Sequence, residues 1–311
     1  YFIYPIVFLY SFLNLFYYPA ESASIPWLVK NEDLTMANSR FLLTSQTALV
    51  IGLGFSGILM RLLGKSSPIY ISSFCLFLAA AAIWSLPKKE PKKEKTKEFA
   101  QFFDDIKAGY FYIKDNRIIF FPVLTMVFFQ VLLVGMAVSI PSLVVDIMHL
   151  EAQDAGPLLI LPLGLGALIS AVYLAKTKNS SRKKILVKRG LIGSFVSLIL
   201  FSFLPILPNP KGIFGVFFSF ILGFFGFLLF IPAQTLMQEN VPPELRGRVF
   251  GAIGFLCTMS SMPFLLFSAA IVEAIGAQHF MLLAAFLLLI GLLFFDKADK
   301  IIIYEKINGN K

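Results

Sequence analysis

Apolar residues form long runs along the chain that charged residues do not interrupt. Nine windows of at least 20 residues contain no Asp, Glu, Lys or Arg. A helix needs roughly 20 apolar residues to cross the hydrocarbon core, and each charge at its centre costs about 2.5 to 3.5 kcal/mol. The pattern therefore predicts nine transmembrane helices and an all-α polytopic membrane protein. The windows are residues 1–20, 41–60, 66–87, 118–145, 155–175, 190–210, 212–238, 249–272 and 274–295.

Composition supports a membrane chain and excludes the soluble classes. The 311 residues are 58% hydrophobic and 14% charged, whereas soluble domains have about a quarter charged residues. Apolar content this high also excludes a disordered or collagen-like chain. The net charge of +9 does not indicate a nucleic-acid partner, because the basic residues lie between apolar runs. The expected partner is the lipid bilayer.

The basic residues also predict the orientation of the helices. Alternate gaps between the windows hold 24 of the 27 Lys and Arg residues, and only Arg61, Lys65 and Lys211 lie in the other gaps. Short cytoplasmic loops carry an excess of Lys and Arg, so the basic gaps and the C-terminus are expected to be cytoplasmic. The basic gaps are Lys30–Arg40, Lys88–Arg117, Lys176–Arg189, Arg246–Arg248 and Lys297–Lys311.

An internal repeat predicts two related halves. Pro19-Ala20 is expected to end the first span, and Pro232-Ala233 lies late in the seventh, 213 residues on. Each pair precedes a short polar loop, a long apolar helix, a tight turn and a last helix. This layout fits two six-helix halves with the first three helices missing, so a chain truncated at its N-terminus is expected. The predicted divisions are a half-bundle (1–87), a linker (88–117), a six-helix bundle (118–296) and a cytoplasmic tail (297–311).

The linker combines a charged segment with a predicted helix. Its first part, KKEPKKEKTKE, is expected to be solvated, and apolar residues then recur at helical spacing. This spacing predicts an amphipathic helix on the cytoplasmic face that joins the halves, and a basic linker of this kind is attracted to anionic lipid. The recurring residues are Phe99, Phe102, Phe103, Ile106, Tyr110 and Ile113.

With these elements placed, the sequence resembles the major facilitator superfamily, and more closely its bacterial branch of enterobactin-type and macrolide efflux permeases. Two departures stand out. Residues 176–189 keep the basic cluster of a superfamily turn but lack its acid and glycines, and Leu53 replaces the proline of an exporter-type helix in Gly52–Gly57. The small residues of that helix still permit close packing. The resemblance is carried by Pro19-Ala20, Ile25-Pro26, Leu34, Ala37-Asn38, Ile106–Gly109, Tyr110–Arg117, Gln238-Glu239, Pro242 and Arg246–Gly251.

The resemblance implies the superfamily fold, with nine of twelve helices present, and a monomeric secondary transporter of the bacterial inner membrane. It implies alternating access, export of amphipathic small molecules, and an ion gradient, most readily of protons, in place of a cofactor. An enzyme is not expected, because no window edge carries a cluster of His, acid or nucleophile. A lysophospholipid or other lipid-handling permease, and an inactive fragment, remain as alternatives.

Two groups of residues are candidate sites. Arg246 and Arg248, with Gly247 and Glu239, form a compact cluster that predicts a cytoplasmic gate of exchanging ion pairs, or else topological anchoring alone. Amides inside spans need partners, so they are predicted to contact substrate or to join helices. The amides are Asn14, Gln46 and Gln130.

The remaining ionisable residues lie at window edges. No carboxylate lies deep in any window, so the acids at the edges are either coupling groups or interface anchors. Two histidines, at the predicted outer face, lack neighbouring ligands, and no metal site is expected. These acids are Asp146, Glu273, Glu21 and Glu239, and the histidines are His149 and His279.

Overall fold

The computed structural model describes residues 3–28, 34–85, 99–176, 183–242 and 245–308. Within those ranges the secondary structure is helical, without strands, which confirms the all-α prediction. The helices are α1 (Ile3–Leu28), α2 (Leu34–Leu63), α3 (Ser67–Trp84), α4 (Phe99–Asp115), α5 (Arg117–Ser142), α6 (Leu161–Lys176), α7 (Lys183–Ser202), α8 (Lys211–Asn240), α9 (Arg246–Ile275) and α10 (Ala277–Asn308).

Every predicted window overlaps one of these helices over most of its described residues. Over the described residues, α3, α5, α6, α7, α8 and α9 supply six spans long and apolar enough to cross a membrane. The other three windows fall on α1, α2 and α10, which contribute the shorter apolar stretches 3–14, 47–63 and 277–293. The chain is therefore a multi-pass membrane protein, and α4 lies outside the windows, in the linker segment predicted to form an amphipathic helix.

The chain divides into two compact units. The smaller comprises residues 1–52 and 69–94, and the larger comprises 53–68 and 95–311. In the smaller unit, α1 and α3 expose most of their large apolar side chains, with Tyr4 76% and Trp84 84% exposed. Lipid tails are as apolar as these side chains, so such surfaces suit a bilayer. The predicted halves 1–87 and 118–296 stay a prediction.

The larger unit has a continuous apolar core among α5, α7, α8, α9 and α10. Ile119, Leu143, Phe201 and Phe280 are almost fully buried within it. Helix α8 packs against α5, α6 and α7. Its Gly223 contacts the backbone of α6 so closely that a Cβ there would lie 1.9 Å from the Leu163 carbonyl oxygen. Absence of a side chain thus allows the two helices to touch at the backbone.

Two helix boundaries differ from the sequence prediction. Pro19 does not end the first helix, since α1 continues to Leu28. Membrane helices tolerate proline because neighbouring groups and local adjustments satisfy the freed backbone. The connection from α5 to α6 extends into both neighbouring windows, 118–145 and 155–175. It consists of a π-helical turn at Leu143–Ile147, a 3₁₀ turn at Ala152–Asp154 and a second π-helical turn at Gly156–Ile160.

Candidate functional site

Helix α4 docks on the start of α9 at one end of the larger unit, which we call the linker face. Asp105 Oδ1 accepts a charge-assisted hydrogen bond from Arg248 Nε at 2.8 Å. Gly109 lies against the Arg248 backbone, where a Cβ would be 2.3 Å from the carbonyl oxygen, and Ile113 is buried. The predicted amphipathic helix is therefore present, and its buried side packs on protein.

A second ion pair joins α7 and α8 at the linker face. Lys183, at the first position of α7, contacts the Glu239 carboxylate near the end of α8. The Lys183 side chain is 17% exposed and that of Glu239 is 49% exposed. The pair links the ends of two helices that pack along their length.

The predicted gate residues reach different partners from those expected. Arg248 and Glu239 pair with Asp105 and Lys183, neither of which the sequence analysis had named. Gly247 is exposed, and a Cβ there would meet nothing within 4 Å. Arg246 begins α9, but its side chain lies outside the described part of the chain. The gate therefore stays a prediction, now with defined partners.

Another ion pair lies at the opposite end of the larger unit. We call this end the hairpin face, because the turn that follows α2 at residues 64–66 lies there. Arg61, in the last turn of α2, contacts the Asp154 carboxylate in the connection between α5 and α6. Asp154 is 4% exposed and is the one charged residue among the buried residues that the structure describes. Asp154 lies directly before the 155–175 window, so the hydrophobic pattern places it in a gap between windows. An acid and a base at the edges of two windows, on the same predicted side of the membrane, were the available signal.

Local turn geometry fixes the Asp154 carboxylate. The backbone N–H of Glu151 donates to Asp154 Oδ2 at 3.2 Å, and the backbone N–H of Asp154 donates to the Glu151 carbonyl oxygen at 2.9 Å. The first bond is the one by which the third residue of a helical turn satisfies the backbone N–H of the residue before the turn, and the second is the backbone bond of the 3₁₀ turn itself. The acid is thus held by its own segment independently of Arg61.

The end of α2 crosses the α5–α6 connection in close contact. A Cβ on Gly57 would lie 1.8 Å from the Gln153 carbonyl oxygen, and one on Gly156 would lie 2.5 Å from the Leu53 carbonyl oxygen. Gly54 packs on Leu161, whereas a Cβ on Gly52 would meet open space. The close packing predicted for the glycines of α2 is therefore present at Gly54 and Gly57 and absent at Gly52.

A cavity of about 330 Å³ adjoins the Arg61–Asp154 pair. Its wall is aliphatic apart from those two side chains, so a polar ligand group could be held only there. The lining residues are Ile58, Arg61, Leu62, Leu150, Asp154, Pro157 and Leu158.

Comparison with known proteins decides the family. Residues 2–264 match the model of the Major Facilitator Superfamily. The chain belongs to the major facilitator superfamily. It is 25% identical over 299 residues to the uncharacterized MFS-type transporter YfiS of Bacillus subtilis, covering 94% of this chain and 70% of that protein. It is 22% identical over 296 residues to macrolide efflux protein A of Streptococcus pyogenes, covering 91% and 69%.

The match confirms the resemblance predicted from sequence motifs. Membership of the superfamily, together with the apolar helices, identifies a membrane transporter family and not an enzyme family. The bilayer-length windows and the motifs at Pro242 and Arg246–Gly251 led to the same family from sequence alone.

The three amides predicted to line a substrate cavity do not all lie in the same unit. Asn14 is half-buried on α1 of the smaller unit, and Gln46 lies on α2, where its side chain is outside the described part. Gln130 is half-buried on α5 of the larger unit and makes no hydrogen bond to the residues that the structure describes. Both predictions for these amides, substrate contact and a helix–helix hydrogen bond, stay predictions.

Among the acids and histidines at the edges of the predicted spans, Asp146 and His279 contact residues of their own segments. Asp146 accepts a hydrogen bond from the Ser142 hydroxyl, and the His279 ring contacts the Ile275 carbonyl oxygen at 2.6 Å. His149 is exposed and has a left-handed backbone with φ of 57°. Across the described ranges, no three His, Cys, Asp or Glu side chains come close enough to hold a metal ion.

Proposed function

We propose that the chain is a secondary active transporter that moves amphipathic small molecules out of a bacterial cell across the cytoplasmic membrane. The match of residues 2–264 to the major facilitator superfamily carries this proposal. A relative named for macrolide efflux, aligned over 91% of the chain, supports export and an amphipathic cargo. The transporter would act as a monomer in which helical bundles rock to open a midplane cavity alternately to each side.

The linker face would be the cytoplasmic gate. Its basic residues favour the cytoplasm by the positive-inside rule, which also puts the C-terminus there. The Asp105–Arg248 pair is partly exposed, with side chains 20% and 47% accessible. Such pairs contribute about 0 to 1 kcal/mol each, so they can break and reform between conformations of similar energy. Arg246 and Gly247, in the same turn, would complete the gate.

The driving force would be an ion gradient, with protons as the coupling ion and no cofactor. Proton relays in membrane carriers use carboxylates that face the protein interior and pair with basic groups. Asp154 fits this description among the described acids, because it is buried and paired with Arg61. Gln130, Asn14 and Gln46 would contact the substrate within the membrane.

Transport in cells tests the proposal. The chain is expressed in an efflux-deficient bacterial strain, and intracellular accumulation of a panel of amphipathic compounds, a macrolide included, is measured. Accumulation is expected to fall relative to the empty vector and to recover when a protonophore collapses the gradient. Accumulation equal to that of the vector for every compound would contradict transport, and lowered accumulation that ignores the protonophore would contradict proton coupling.

A further inference from the structure

The ion pair at the hairpin face joins a fixed acid to a displaceable base. The Asp154 side chain is 6% exposed and is held by the Glu151 N–H, whereas the Arg61 side chain is 54% exposed at the end of α2. Arg61 can therefore leave the pair and be hydrated, while Asp154 stays buried in its turn beside the cavity. The arrangement allows another cation to take the place of Arg61.

The adjoining cavity suits a ligand with an apolar body. Its volume of about 330 Å³ is at the lower end of the range of roughly 300 to 1,000 Å³ for small-molecule sites. Five aliphatic residues line the cavity. Burying the apolar body of a ligand against them would favour binding by about 25 cal/mol for each Å² of apolar surface removed from water.

We propose that this cavity binds a hydrophobic organic cation, which displaces Arg61 and pairs with Asp154. The sign of the ligand charge follows from the difference in exposure between the Arg61 and Asp154 side chains. An anion would pair with Arg61 and leave the buried Asp154 carboxylate without a counter-charge, which is strongly unfavourable. A cation leaves Arg61 unpaired in water, where little is lost. A quaternary or tertiary ammonium with a small aromatic or aliphatic body has the required chemistry.

Binding at this cavity also changes a contact between chain segments. Arg61 belongs to α2 and Asp154 to the α5–α6 connection, so a bound cation breaks the ion pair that links them. If the proposed transport function holds, hydrophobic organic cations are also the molecules that the protein transports. Only this statement about cargo rests on the proposed function; binding at the cavity does not.

Equilibrium binding to the purified chain in lipid nanodiscs tests the site, with empty nanodiscs subtracted. The probe is radiolabelled benzyltrimethylammonium, and its competitors are the neutral isostere neopentylbenzene and the anion benzenesulfonate. Saturable binding is expected, with competition by unlabelled cation and by neither control. Competition by benzenesulfonate equal to that by the cation would overturn the assignment of charge.

Two variants are expected to move affinity in opposite directions. Asp154→Asn should weaken binding of the cation by at least about tenfold, since the cation would then enter the cavity without the buried counter-charge. Arg61→Gln should tighten it by about tenfold, because the internal competitor is removed. Lys65→Gln is the matched control: it removes the same charge from the same hairpin, outside the cavity lining, and should leave affinity unchanged.

A purely structural ion pair would make both variants bind worse, and that result overturns the proposal. Equal affinity of Asp154→Asn and the unmodified chain overturns it as well. The asparagine of Asp154→Asn can still accept the hydrogen bond from the Glu151 N–H, and thermal unfolding shows whether this variant folds. If Asp154→Asn does not fold, Arg61→Gln decides alone. Unchanged or weaker binding to Arg61→Gln would contradict displacement of Arg61 by the cation. Binding without efflux of the same cation counts against the transport proposal only, whereas efflux with no saturable binding counts against this site.

Discussion

At the scale of single residues, the closest helix contacts depend on glycine. A Cβ at position 223 would lie 1.9 Å from the Leu163 carbonyl oxygen, and a backbone atom cannot move aside as a side chain can. We expect Gly223→Ala to destabilise the protein by about 1 to 3 kcal/mol through overpacking. Thermal unfolding in detergent measures this, with Gly254→Ala as control, because a Cβ there would meet nothing within 4 Å. Equal melting temperatures for the two variants would contradict the α6–α8 contact.

The same scale shows where the sequence was insufficient. Arg248 and Glu239 were predicted as charged gate residues, but their partners Asp105 and Lys183 lie 143 and 56 positions away along the chain. Charge patterns along a sequence place residues at a membrane face without stating which of them touch. Asp154 was missed for a related reason: a charge at a window edge looks like a loop residue until its neighbours are known. Gln46 and Arg246 remain predictions whose side chains lie outside the described part.

At the scale of elements, the position of α4 makes a prediction about the gate. If the Asp105–Arg248 pair controls opening of the linker face, Arg248→Asp should reduce efflux, and the double variant Asp105→Arg with Arg248→Asp should restore part of it. The coupling energy should be about 0.2 to 1 kcal/mol, as for partly exposed pairs. Efflux rates of the four forms measure it, normalised to protein in the membrane. Lys107→Asp, which changes an exposed charge on α4, is the control; an equal loss in that variant would assign the effect to net charge.

The cluster at the start of α9 yields a second prediction at this scale. Charge reversal in Arg246→Asp should impair efflux while leaving the amount of inserted protein unchanged, because one basic residue of 24 in the predicted cytoplasmic gaps has little weight in topology. Efflux and membrane-fraction quantification separate the two effects. Full transport by the variant would leave Arg246 with an anchoring role only.

Apolar windows predicted where helices lie but not where they end. The amount of apolar sequence sets the part of a helix inside the bilayer, whereas capping, proline tolerance and neighbouring helices set the ends. Hence α1 continues past Pro19 to Leu28, and the α5–α6 connection contains π-helical and 3₁₀ turns that the windows could not indicate. The periodicity of 99–113 predicted α4 correctly, although the pattern alone did not indicate docking on α9.

At the scale of the whole molecule, the bilayer is the reason that so much of the fold was predictable. Only helices and closed barrels satisfy their backbone groups in lipid, so long apolar windows leave few alternatives. The all-α class and the family therefore followed from the sequence, and the helical structure and the family match confirm them. The predicted repeat, with Pro19-Ala20 matching Pro232-Ala233, stays a prediction, as does the orientation of the helices.

Orientation is testable because the two faces of the larger unit differ in charge and carry exposed lysines. The distribution of 24 basic residues predicts that α4 is cytoplasmic and that the turn after α2 is external. The two cysteines of the chain are Cys75 and Cys257. In a background with both replaced by serine, Lys65→Cys should react with a membrane-impermeant maleimide in intact cells. Lys107→Cys, at a position that is also exposed, should react only after permeabilisation. The reverse labelling would exchange the two faces, so that the linker-face ion pairs would close the external side and the cation cavity would open to the cytoplasm.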